Sequence, residues 1–214
     1  MLSRASIALV GPGWNFRVSG RSDECSVPSD AALRQADDRQ IVETCLAGNR
    51  EAFGILVERH QRRIYQLCYR FAGTHEDASD LAQDVFVRAF RGLGGFKGQA
   101  AFTTWLYRIA VNVCLNQKAS RTADTVRIDG REIVSDSADH PGETLLREET
   151  ARQVRAAIAC LPPRQRATLI LRVYHDLPHD QIARIFGSSV GAVKANFFHA
   201  LGNLKKLLKE RCDI

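Results

Sequence analysis

Arg108, Asn112 and Asn116 fall at four-residue intervals in AFTTWLYRIAVNVCLNQKASR, residues 101–121. On a helix such positions drift only about 80° around the axis, so they form one polar ribbon. With Lys97, Lys118 and Arg121, the segment 97–121 carries four positive charges and no negative one. Amides and cations donate to phosphates and base edges, whereas a carboxylate there would repel a phosphate backbone. The Gly-rich loop GLGGFKGQ (92–99) just ahead of the helix can cup a splayed base, with Phe102 or neighbouring backbone as its wall. Taken alone, a helix that is polar by accident accounts for the ribbon equally well. Trp105, Ile109 and Val113 are expected to form the core stripe of the same helix.

A second candidate lies near the C-terminus. Gln181, Ile182, Ala183, Ile185 and Phe186 make a short amphipathic helix ending at Gly187. A Gly-Ser-Ser turn follows, and Ser189 can cap the next helix. The expected seam of that helix is Val190, Val193, Phe197, Leu201, Leu204 and Leu208. Small Ala183 permits a close crossing. This is the grammar of a helix-turn-helix, whose second helix enters a major groove. Ala192, Ala195, Asn196, His199, Asn203 and Lys206 are expected on the outer face, where small residues allow close approach and Asn, His and Lys reach bases or phosphates. An ordinary helical hairpin with a solvated outer face is the alternative.

The helix expected over 75–93 is different in chemistry. Asp80, Gln83, Asp84, Val87 and Arg91 share one side, and Leu81, Val85 and Ala89 another. A solvated charged face and a docking surface for a basic partner helix both fit this periodicity. His175 and His179 are four apart, but Pro178 interrupts the helix, so they read as loop and cap residues rather than metal ligands. No phosphate-binding loop, nucleophile elbow, zinc-protease motif or dinucleotide fingerprint is present, so no catalytic residue, cofactor or metal is assigned.

The surrounding elements are helical throughout. A stop at Gly48, a cap at Asn49, apolar positions at Phe53, Leu56, Val57, Ile64, Leu67 and Phe71, and a stop at Gly73 define a long helix. Thr74 with Asp77 three residues on opens the next. Pro163 starts another after LPPRQR. No segment alternates as a strand. Residues 1–36 lack periodicity and read as a disordered N-terminal tail. Residues 122–142 hold Asp124, Asp129, Glu132, Asp136 and Asp139 against Arg127 and Arg131, and read as an acidic, flexible linker. The expected fold class is therefore all-α, with two small helical domains, 37–121 and 143–214, on a tether. The 214 residues suffice for this, and the net charge of +6 leans toward polyanions. No apolar run approaches the roughly 20 residues of a membrane span. The six scattered cysteines suit a reducing compartment, so a cytoplasmic location without membrane insertion is expected.

DLAQDVFVRAFRGLGGFKGQAAFTTWLYRIAVNVCLNQ and LPPRQRATLILRVYHDLPHDQIARIFGSSVGAVKANFFHAL together resemble the extracytoplasmic-function (ECF) sigma factors of bacterial RNA polymerase. The resemblance runs from about 37 to 210. It implies that 37–121 is sigma region 2 and 143–214 sigma region 4, and that the chain is no enzyme but binds core polymerase (β and β′ subunits) and promoter DNA. It implies docking on the β′ clamp helices by Asp80, Gln83, Asp84, Val87 and Arg91. It assigns minus-ten reading and melting to Lys97, Gly98, Ala100, Phe102, Trp105, Arg108, Asn112 and Asn116. Minus-thirty-five contacts fall to Ser189, Lys194, Ala195, Asn196, Phe198 and His199. Where the family often has arginines this chain has Asn196, His199 and Leu201, while Lys205, Lys206 and Lys209 keep the helix basic. An anti-sigma factor is a further implied partner. The rival of another class is a stand-alone helix-turn-helix regulator with 37–121 as a sensor or dimerisation domain.

Overall fold

A computed structural model of the protein describes residues 30–121 and 141–212. Nine α-helices are described, with two short 3-10 turns and, among these residues, no strand. The N-terminal half holds α1 (Asp30–Gln35), α2 (Asp38–Leu46), α3 (Phe53–Ala72), α4 (His75–Gly92) and α5 (Phe102–Arg121). The C-terminal half holds α6 (Pro141–Ala159), α7 (Pro163–Val173), α8 (His179–Phe186) and α9 (Val190–Cys212).

Local chemistry sets most boundaries. Asp37 and Gln40 form a reciprocal capping box at the start of α2. Asn49 accepts from the Ala52 amide in the 3-10 turn (Arg50–Ala52) that runs into α3. Gly73, at φ 85°, ends α3 in the left-handed conformation that costs glycine least. Thr74 caps α4 by accepting from the Asp77 amide. Pro163 opens α7.

α3, α4 and α5 pack against one another around Phe53, Leu56, Ile64, Leu67, Val85, Leu106 and Val111, all within 1% of full burial. α6, α7 and α8 pack around α9 on Ile158, Leu161, Ile170, Leu171, Ile182, Val193 and Ala200. Cys68 and Cys114 meet in the first core with sulfurs 3.9 Å apart. That contact and burial push the Cys68 thiol well above its ordinary range, so it stays protonated and inert.

Five expectations need correction. The unpatterned tail expected to reach residue 36 stops sooner: Asp30–Gln35 is helical, with Leu33 in the core. Arg59 fixes this turn by donating to the carbonyls of Arg34 (2.8 Å) and Ala36 (2.7 Å) while pairing with Asp38 (3.0 Å). Asp38 also takes His60 Nε2 at 2.7 Å. Residues 1–29 and the linker positions 122–140 lie outside the described residues, and 141–142, expected in the linker, begin α6.

The core stripe of α5 is rotated from the expected one. Phe102, Leu106, Ala110, Val113 and Cys114 are buried, whereas Trp105 and Ile109 sit half-buried at its edge. In α9 the seam runs through Val193, Phe197, Ala200, Leu204 and Leu207. Val190 and Leu201 point outward instead, 39% and 45% exposed. Asn203, expected on the outer face, turns toward α7 and donates to Gln165 Oε1 at 2.8 Å.

Candidate nucleic-acid interface

The α5 ribbon exists in space. Arg108, Asn112 and Asn116 are all exposed on a helix whose opposite side is core. Ahead of it the 92–101 loop stands out from the surface, with Lys97, Gly98 and Gln99 exposed and Ala100 half-buried. Gly98 adopts φ 67°, a left-handed turn that a side chain would strain. Phe96 pins the loop: its ring meets Phe102 edge-on at 5.9 Å and lies 5.3 Å from Trp105. Phe102 is only 3% exposed and also touches His60, so it supports the loop from beneath rather than walling a cavity. The loop backbone, Phe96 and the partly open face of Trp105 are the surfaces left for a base. Sequence reasoning passed over Phe96; an aromatic residue set alone among four glycines was the available signal.

On α4 the two faces separate as the sequence required. Ala78, Leu81, Ala82, Val85, Phe86 and Ala89 are buried. Asp80 and Arg91 are exposed, and Gln83, Asp84 and Val87 half-buried, on the other side. Asp84 is held by Arg88, one turn on, through bonds of 2.9 and 3.0 Å. An exposed pair of this kind contributes little to stability, so its carboxylate is available for a basic partner.

The C-terminal candidate has helix-turn-helix geometry. α8 ends on Gly187 at φ 60°, and the Ser188 amide reaches back to the Ala183 carbonyl at 3.0 Å. The Ser189 hydroxyl then accepts from the Ala192 amide at 3.1 Å, so Ser189 acts as the cap that aims α9. Beyond it Lys194, Ala195, Phe198 and His199 are exposed and Asn196 is half-buried. Phe198 is 74% exposed, edge-on to His199 at 5.9 Å. An aromatic ring so far out of the core suits apolar contact with a thymine methyl, and Leu201 extends the same face. His175 and His179 are separately engaged: His175 bonds Tyr107, and His179 meets the Phe197 ring at 5.7 Å.

The two DNA-suited surfaces are not independent in this structure. Arg108 donates from Nε to the Ile185 carbonyl (3.2 Å) and from Nη2 to the Arg184 carbonyl (2.6 Å), across the two halves. In return Arg166 of α7, 5% exposed, donates to the carbonyls of Arg70 and Phe71, both at 2.8 Å. Burial pulls the Arg166 guanidinium down to about 10, still protonated at neutral pH. Tyr107 and His175 Nδ1 lie 3.0 Å apart, and Arg70 sits 3.9 Å over the Tyr174 ring.

Residues 56–123 match the family model described as Sigma-70 region 2, and residues 151–204 match Sigma-70, region 4. An RNA polymerase sigma-H factor of Pseudomonas aeruginosa is 35% identical over 83% of this chain and 96% of its own. An ECF RNA polymerase sigma-E factor of Escherichia coli is 33% identical over 78% of this chain and 91% of its own. Among solved structures, CnrH in complex with the cytosolic domain of CnrY is 28% identical, covers 81% of this chain and 97% of that one, and superposes with a TM-score of 0.61. Both halves match in order and near full length, so the chain belongs to the extracytoplasmic-function sigma factors, non-enzymatic proteins that direct RNA polymerase in promoter recognition and transcription initiation.

Proposed function

We propose a division of that work among named residues. The α4 face of Asp80, Gln83, Asp84, Val87 and Arg91 docks on the β′ clamp helices of core polymerase. The loop and ribbon of Lys97, Gly98, Ala100, Trp105, Arg108, Asn112 and Asn116 grip the non-template strand of the minus-ten element as it unpairs, with Phe102 bracing the loop. Ser189 sets α9 in the major groove at minus thirty-five, where Lys194, Ala195, Asn196, Phe198 and His199 make the contacts. The helices from Asp30 to Arg121 and from Pro141 to Cys212 make up the two working domains, and the acidic stretch between them is the tether. The polymerase fixes the spacing of two weak grips, which then reinforce each other through effective concentration. Its site of action is the cytoplasm, where the polymerase is. An anti-sigma factor is a fitting regulator, since a similarly folded sigma factor, RpoE, was solved with the anti-sigma factor NepR from Bartonella quintana.

The observation that carries this reading is the exposed, carboxylate-free stripe of Arg108, Asn112 and Asn116 beside a pinned Gly-rich loop. The test is run-off transcription with core polymerase on an ECF-type promoter. Asn112→Ala with Asn116→Ala should lower open-complex formation about tenfold or more, a loss of roughly 1.4 kcal/mol, with capture of core polymerase unchanged. Asp80→Arg with Asp84→Arg should abolish capture. Capture lost in the asparagine variant, or retained in the aspartate one, would reverse the assignments.

A further inference from the structure

We infer that α9 reads its part of the promoter mainly through the 5-methyl groups of thymines, with Phe198 as the residue that sets this preference. Such a preference rests on the reading that α9 lies in the major groove at minus thirty-five.

Ala195, Phe198 and Leu201 recur every three residues and turn only about 120° around α9, so they form a single apolar ridge. All three are exposed, Phe198 by 74% and Leu201 by 45%. The fold has no need of them: α9 packs through Val193, Phe197, Ala200, Leu204 and Leu207. The His199 ring meets Phe198 edge-on at 5.9 Å, an aromatic contact that favours one setting of the exposed side chain. A contiguous apolar patch held out in water marks a surface that something covers.

Charge decides what that is. From Val190 to Lys209 the helix carries four lysines and no carboxylate. Lys194 stands one turn before Phe198 and Lys205 one turn after Leu201, so cations bound the ridge at both ends. A surface of this kind fits a polyanion that also offers apolar groups. The major groove is one: phosphates line its rim, and the thymine methyl is the apolar group among its base edges. The ridge rises about 9 Å along the helix, the height of roughly two to three base pairs. Guanine readout, by contrast, calls for a guanidinium or ammonium on O6 and N7. No arginine occurs between Arg184 and Arg211, and Lys206 is paired with Glu210 at 3.9 Å. Lys194 is the one cation in the first turns of α9. Asn196, the residue type suited to adenine, is half-buried. Methyl contact is the readout this face supplies best.

The test uses holoenzyme made from the full chain and core polymerase. A duplex pool randomised across the minus-thirty-five and minus-ten positions is put through rounds of binding. The selected duplex is then synthesised with thymine or with deoxyuridine in its minus-thirty-five element. Deoxyuridine removes the methyl and leaves every hydrogen-bonding group in place. Selected elements should carry thymines at neighbouring steps, and the deoxyuridine duplex should bind about fivefold or more weakly. Phe198→Ala, at so exposed a position, should keep its helix content in circular dichroism and bind both duplexes alike. Phe198→Leu should restore part of the difference. A parent indifferent to the methyl, with Phe198→Ala weakening both duplexes equally, overturns methyl readout and leaves α9 as the minus-thirty-five reader. Loss of core capture in Phe198→Ala assigns the ridge to a protein partner and overturns methyl readout likewise. A pool that emerges without preference at minus thirty-five, unchanged by Phe198→Ala or Lys194→Ala, overturns the placement of α9 and the methyl readout together.

Discussion

Asp38 shows how much of this fold rests on single polar groups. Its carboxylate receives His60 at 2.7 Å and Arg59 at 3.0 Å, and Arg59 in turn holds the turn after α1. Replacing Asp38 by Ala leaves two partly buried donors without their acceptor, and should destabilise the protein by about 2 kcal/mol in urea unfolding. Adding His60→Leu should restore part of that, since an apolar group no longer needs the bond. Neither partner was legible in the sequence. Asp38 and His60 are 22 residues apart, and no local pattern links them. Cap residues behave oppositely: Thr74, Asn49 and Ser189 act on amides three residues away, so their roles could be read directly from spacing.

At the scale of helices, the turn between α8 and α9 decides whether α9 presents its outer face correctly. Gly187→Ala should cost about 1–2 kcal/mol, measured by thermal unfolding, because φ 60° disfavours a Cβ. The cost is conformational rather than steric: the nearest atom to that Cβ would be Arg108 Nη2 at an ordinary 3.8 Å. The existence of every long helix could be read from apolar period and breakers. The rotation of two of them could not. In α9, Leu201 and Phe198 are apolar yet exposed, so a pattern that assigns apolar residues to the core misplaces the seam by about one position. In α5, Trp105 is large enough to touch both the core and the loop, and so occupies the border between stripe and ribbon.

For the whole molecule, the relation between the halves was invisible beforehand, because its main acceptors are backbone carbonyls that every residue possesses. The seam should nevertheless respond to pH. Burial, then the nearby Arg63 and Arg70 charges, pull His175 down to about 4, while Asp176 pulls it weakly the other way. Its Nδ1 faces Tyr107. A histidine freed by opening titrates near 6.5, so the open form binds the extra proton between that value and 4. Closure is therefore fully supported above pH 6.5 and weakens as the pH falls toward 4. Small-angle scattering at pH 7.5 and 5 should show the chain expand on acidification, and His175→Gln should flatten that response. The use of carbonyls as recipients also divides the mutational burden unevenly. Arg184 can vary without altering what Arg108 meets, and Ile185, in the core, can exchange only with another apolar residue, whereas two codons, those of Arg108 and Arg166, act as the dials by which selection can set how tightly the two halves hold together.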